Sequence, residues 1–154
     1  MIGNDIVDLV QAAIDSNWKR KGYLDKIFNS EEQFMITSGI HPSMIIWLLW
    51  SMKESAYKIY SREAKLREFA PLKLQCSNLI IHNDTATGNV SYENELYYTE
   101  SYFDEHYLHT IASTKLEELG KVEIKITDHA LFDYKKTKPA SVSHHGAYLA
   151  LVYL

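Results

Sequence analysis

Three places in the chain carry side chains whose chemistry exceeds what a surface or a core requires. Asp5 sits in an N-terminal run of β-branched residues, Glu54 and Lys58 share a long apolar segment, and Ser143-His144 precedes apolar residues near the C-terminus. Carboxylates, amines, hydroxyls and imidazoles are the groups that ligate metals, meet anions or move protons. Glu54 and Lys58 are four residues apart, so on a helix they share a face from which Lys53 points away. Each group also has a plain structural explanation. An exposed pair at that spacing contributes roughly a few tenths of a kcal/mol, an aspartate beside a strand often forms a turn, and a lone histidine serves equally as a core or surface imidazole.

The elements that must position these groups follow from periodicity. Ile2-Gly3-Asn4-Asp5-Ile6-Val7 reads as a short strand that delivers Asp5 to its end. Residues from Asp8 to Trp18 suit a short helix, and Asn29 or Ser30 followed by Glu31 and Glu32 has the form of a helix start, with acids at the positive end of the helix dipole. From Ser43 to Ala64, after Pro42, Trp47, Leu48, Trp50, Ala56 and Tyr57 recur at helical spacing. This is the long central helix. Its first half is apolar on most sides, and Lys53, Glu54, Lys58, Arg62 and Glu63 are expected to emerge where the core ends.

After Pro71 the pattern changes to strands. They are expected at Leu72 to His82, Asn89 to Glu93 after a turn over Asn83 to Gly88, Leu96 to Tyr102, and Tyr107 to Ser113. Lys121 to Ile126 alternates as a half-exposed strand, and Ser141 to His144 with Ala147 to Leu154 reads as one last, central strand. The order is mixed, so the fold class is α+β, an antiparallel sheet packed against a long central helix. Its 154 residues suit a single domain spanning 1–154.

Composition narrows the partners. The formal charge of -4 opposes nucleic-acid binding, which needs clustered positive charge. No segment has the apolar length to span a bilayer, so no membrane is expected. Cys76 is the one cysteine and the N-terminus lacks a signal-peptide pattern, which together point to the cytoplasm. Two short basic runs, Lys19-Arg20-Lys21 and Lys135-Lys136-Thr137-Lys138, are solvated surface or meet an anionic ligand or acidic partner.

Taken together the motifs are more specific than their parts. Gly3-Asn4-Asp5-Ile6-Val7-Asp8 is similar to a G-x-D-I-V-(D/E) opening, and Trp50-Ser51-Met52-Lys53-Glu54-Ser55-Ala56-Tyr57-Lys58 to a (F/W)-x-x-K-E-(A/S)-x-x-K signature. Ser141-Val142-Ser143-His144 resembles a late S-x-S-H segment, and Phe28-Asn29-Ser30-Glu31-Glu32 an F-T-x-x-E stretch. In that order they resemble the 4′-phosphopantetheinyl transferases, particularly the short holo-acyl-carrier-protein synthase branch. The likeness runs along essentially the whole chain, although residues 83–118 supply no motif.

The resemblance implies transfer of the phosphopantetheine arm of coenzyme A to a serine of an apo acyl or peptidyl carrier protein. It implies Mg²⁺ held by Asp5 and Glu54, a lysine at Lys58 that contacts phosphate or assists the leaving nucleotide, and Ser143 and His144 on the nucleotide part of coenzyme A. Val7 stands where longer members carry a third acid, which favours the short, two-carboxylate branch. That branch forms homotrimers in which the two acids of one chain face the late segment of another. Leu49 stands where short-branch members commonly have a basic residue. The alternative it motivates is a non-catalytic relative that binds coenzyme A or a carrier domain.

Overall fold

The computed structural model describes residues 1–128 and 133–154. Strand β1 (Ile2–Asp8) opens the chain, and Asp8 accepts from the Gln11 amide at 3.0 Å to cap helix α1 (Leu9–Asp15). Helix α2 (Tyr23–Ile27) leads to α3 (Ser30–Ser38). There Asn29 and Glu32 form a reciprocal capping box, each side chain accepting from the other's backbone N–H at 2.9 Å. The central helix, α4, spans Pro42–Ala64, one residue longer than periodicity suggests because Pro42 occupies the first turn, where its missing N–H is no loss.

Four strands follow in hairpins: β2 (Gln75–His82), β3 (Thr85–Tyr92), β4 (Glu95–Phe103) and β5 (Tyr107–Ser113). With β1 they form an antiparallel five-stranded sheet in the order β1-β5-β4-β3-β2. The expected turn over residues 83–88 shrinks to Asn83-Asp84, because Asn83 supplies the left-handed φ of 54° that a tight hairpin needs and strand pairing resumes at Thr85. Residues 72–74, expected as strand, enter through a short 3-10 turn at Pro71–Lys73.

After a short helix α5 (Leu116–Leu119), β6 (Glu123–Asp128), β7 (Ser141–His145) and β8 (Tyr148–Tyr153) make a second sheet in the order β6-β8-β7. The single last strand expected from sequence is therefore a hairpin. Gly146 breaks it with φ of 54°, at a point where any Cβ would meet the Asp8 carboxylate. The apolar half of that expectation holds, since Leu149 to Val152 are buried and β8 is the central strand.

The main core lies between the five-stranded sheet and α4, where Leu48, Leu49, Met52, Ala56 and Ile59 pack on Val90, Tyr97, Leu108 and Ala112. Helix and first strand touch closely. A Cβ at Gly3 would lie 2.1 Å from the Ser55 carbonyl, so glycine is what lets β1 lie against α4. Among the described residues no helix is long and apolar enough to cross a membrane.

One charge departs from expectation. Lys53 does not emerge from the core but is fully buried, its ammonium donating to Glu32 Oε1, Ile27 O and Pro71 O, each at 2.8 Å. All three of its protons have acceptors. Glu32, equally buried, also accepts from the Cys76 amide at 2.9 Å, so one ion pair ties α2, α3, the Pro71 turn and β2 to α4.

Candidate active site

Among the described residues the two sheets do not join through a backbone ladder. Strands β1 and β7 run side by side, joined by side chains at every second residue of β7. Ser141 Oγ donates to Asn4 Oδ1 at 2.6 Å, Ser143 Oγ accepts from the Ile6 amide at 3.1 Å, and His145 Nδ1 accepts from the Asp8 amide at 2.8 Å. The outer carbonyls are met from α4. Lys58 Nζ donates to Asn4 O at 2.7 Å and Val142 O at 3.2 Å, while Arg62 donates to Ile2 O and Ala140 O. An edge strand's unpaired backbone groups are thus satisfied without extending the sheet.

This polar seam forms one wall of a cavity of about 590 Å³. Asp5, Glu54, Lys58, Ser143 and His144 all line it, together with Tyr23, Trp47, Trp50 and His145. The structure thus gathers all five residues singled out from sequence. Asp5 lies in the middle of β1 rather than at its end, because the strand continues to Asp8 through seven paired positions. The late segment that lines this cavity is that of the same chain, with Ser143 bonded to the Ile6 amide and to Asp5.

Electrostatically the site is strained around Asp5. Its Oδ1 accepts from Ser143 Oγ at 3.3 Å, but Oδ2 is buried and has no hydrogen-bond partner among the described residues. Burial pushes the carboxyl up to about 7, with Lys58 opposing and Glu54 adding to the rise. Burial likewise raises Glu54, which Lys58 opposes, and lowers Lys58, which both acids oppose. An anion deprived of water and partner is the donor a hard cation satisfies. The carboxylates that line this cavity are those of Asp5, Asp15 and Glu54, of which Glu54 is close enough to Asp5 to raise its pKa. Among the described residues no group of three or more His, Cys, Asp or Glu side chains could hold a metal ion, so any ion here would complete its shell with water and substrate oxygens.

Strand alternation separates the late pair. Ser143 is buried and committed to Ile6 and Asp5, whereas His144 is exposed on the opposite face of β7. Sequence reasoning missed His145, although counting by two from Ser141 and Ser143 reaches it. It also missed the buried network behind the site, where Asn4 Nδ2 lies 3.1 Å from His109 Nε2 and donates to Ala150 O at 3.2 Å. Leu49 is fully buried in the core and is not among the described residues that line this cavity.

The model of the 4′-phosphopantetheinyl transferase superfamily matches residues 1–118. The chain belongs to this superfamily. The match takes in the five-stranded sheet, α4, Asp5, Glu54 and Lys58, and stops before β7, so the Ser143 wall of this transferase lies beyond it. No curated protein matches the chain. The mixed fold, an antiparallel five-stranded sheet with several helices, is consistent with that of the superfamily.

Proposed function

We propose that this transferase is of the holo-acyl-carrier-protein synthase type, working in the cytoplasm on coenzyme A and the serine of an apo acyl or peptidyl carrier protein. The observation that carries the proposal is Asp5, which lines a cavity with Glu54 and Lys58 and whose buried Oδ2 has no hydrogen-bond partner among the described residues. In the reaction the serine oxygen bonds to the β-phosphorus of coenzyme A. The bond from that phosphorus to the bridging oxygen breaks, and 3′,5′-ADP leaves with the electron pair. The serine proton passes to Glu54 or to a water beside it.

Asp5 and Glu54 would hold Mg²⁺, which supplies charge neutralisation at the pyrophosphate. Lys58 meets the same phosphates with the N–H left after its two carbonyl bonds. Ser143 holds the Asp5 carboxylate in place, and His144, open to solvent, is positioned for the nucleotide end of coenzyme A. We assign one domain to residues 1–154, since β7 completes the outer edge of β1. A homotrimer is the assembly of the short branch, and a solution mass of one subunit would overturn it for this chain. Incubation with Mg²⁺, coenzyme A and apo carrier proteins should add the phosphopantetheine mass to the carrier. No transfer to any of several carriers would refute the activity.

A further inference from the structure

At two positions the seam asks β7 for an acceptor, at the Ile6 and Asp8 amides. At the Ile6 amide a serine hydroxyl is enough, and Ser143 provides it at 3.1 Å. At the Asp8 amide the chain instead uses a histidine, His145, whose Nδ1 accepts at 2.8 Å. A nitrogen that accepts from an N–H presents a lone pair, so in the neutral ring the proton resides on Nε2. The strand contact therefore fixes the tautomer and the ring together. His145 lines the cavity, and its Nε2 has no hydrogen-bond partner among the described residues. The imidazole thus does the work of the serine and adds an oriented donor on its far side.

That donor answers a shortage. Lys58 is the one lysine or arginine among the residues lining the cavity, and two of its three N–H bonds go to carbonyls. Asp5, Asp15 and Glu54 line the same space. A substrate carrying a pyrophosphate needs further fixed N–H groups there. We propose that His145 is a substrate-binding residue, locked by the Asp8 amide as the Nε2–H tautomer and donating that hydrogen to the pyrophosphate of coenzyme A. The inference rests on the coenzyme A reading of the site.

Two substitutions separate the two ends of the ring. His145→Asn keeps an acceptor where Nδ1 stood but has no N–H at the position of Nε2. His145→Gln places an amide N–H there and gives up the strand contact. Calorimetric titration of the full chain with coenzyme A in Mg²⁺ should show affinity about tenfold or more weaker for His145→Asn, the size of one hydrogen bond to a charged group. His145→Gln should retain most of it. Nitrogen-15 NMR of the wild-type ring should show the proton on Nε2. Equal affinity of His145→Asn and wild type, equal loss in both variants, or a proton on Nδ1 would each overturn the proposal. Binding that depends on His145 without transfer would sustain it and refute the transfer activity. Transfer with coenzyme A affinity indifferent to His145→Asn would do the reverse, and a wild-type protein that does not bind coenzyme A would refute both.

Discussion

At the scale of single residues the site trades stability for chemistry, and Asp5 is where the trade can be measured. In the metal-free protein its carboxyl titrates near 7 instead of 3.8, chiefly through burial. Between those values the folded state keeps a proton that the unfolded chain has released, so its stability falls as pH rises through the window. Above it the full penalty remains, on the order of 4 kcal/mol for a shift of about three units. Asp5→Asn should therefore raise the melting temperature of the metal-free protein at pH 8, with the gain shrinking to nothing as pH falls to about 4. The same variant should lose transfer by about a hundredfold or more, since it removes a proposed metal ligand. Paired melts of wild type and variant across pH test this, and a variant less stable at pH 8 would contradict it. The difference between the two proteins matters more than either curve alone, because His109 slopes the other way. Burial, with Lys58 adding, pushes that imidazole down from 6.5 to about 4. The folded state resists a proton that the unfolded chain accepts, so this contribution is present above pH 6.5 and is lost as pH falls through 4.

At the scale of elements, the signature around Glu54 serves two ends at once. Lys53 and Glu54 are neighbours on α4, yet one faces the core beneath α3 and the other the cavity, because adjacent helix residues diverge by about 100°. The Lys53–Glu32 pair holds the Pro71 turn and three elements at once, with every proton of the ammonium matched. Lys53→Met strands a buried carboxylate and Glu32→Gln a buried ammonium. Each single change should destabilise by about 3–5 kcal/mol in denaturant unfolding, while the double change Lys53→Met with Glu32→Leu should recover much of the loss. Singles that leave the midpoint unmoved would show that the pair does not hold these elements together.

At the scale of the whole molecule the site belongs to the seam between two sheets, and the superfamily match ends before the second of them. A chain cut after Glu118 would keep Asp5, Glu54 and Lys58 but lose Ser143 and His145 as acceptors for the Ile6 and Asp8 amides. It would also expose Ile2 and Ile111, which pack against Val152. Such a truncation should lack the cooperative thermal transition of the full chain by circular dichroism, and a cooperative melt would separate the second sheet from the folding unit. Sequence alone determined much of this molecule. The long helix, the hairpin strand at Tyr107–Ser113, the capping at Asn29 and the polar residue types at the five positions that line the cavity are written in local periodicity and residue type, which act over a few neighbours. The burial of Lys53, the hairpin at Gly146, the meeting of β7 with β1 in one chain and the roles of His145 and His109 were decided only in three dimensions. Their partners lie from 18 to 138 residues away in sequence, and Gly146 turns against Asp8. No window of neighbouring residues contains such pairs, and only the packed core sets which edge each polar group must satisfy.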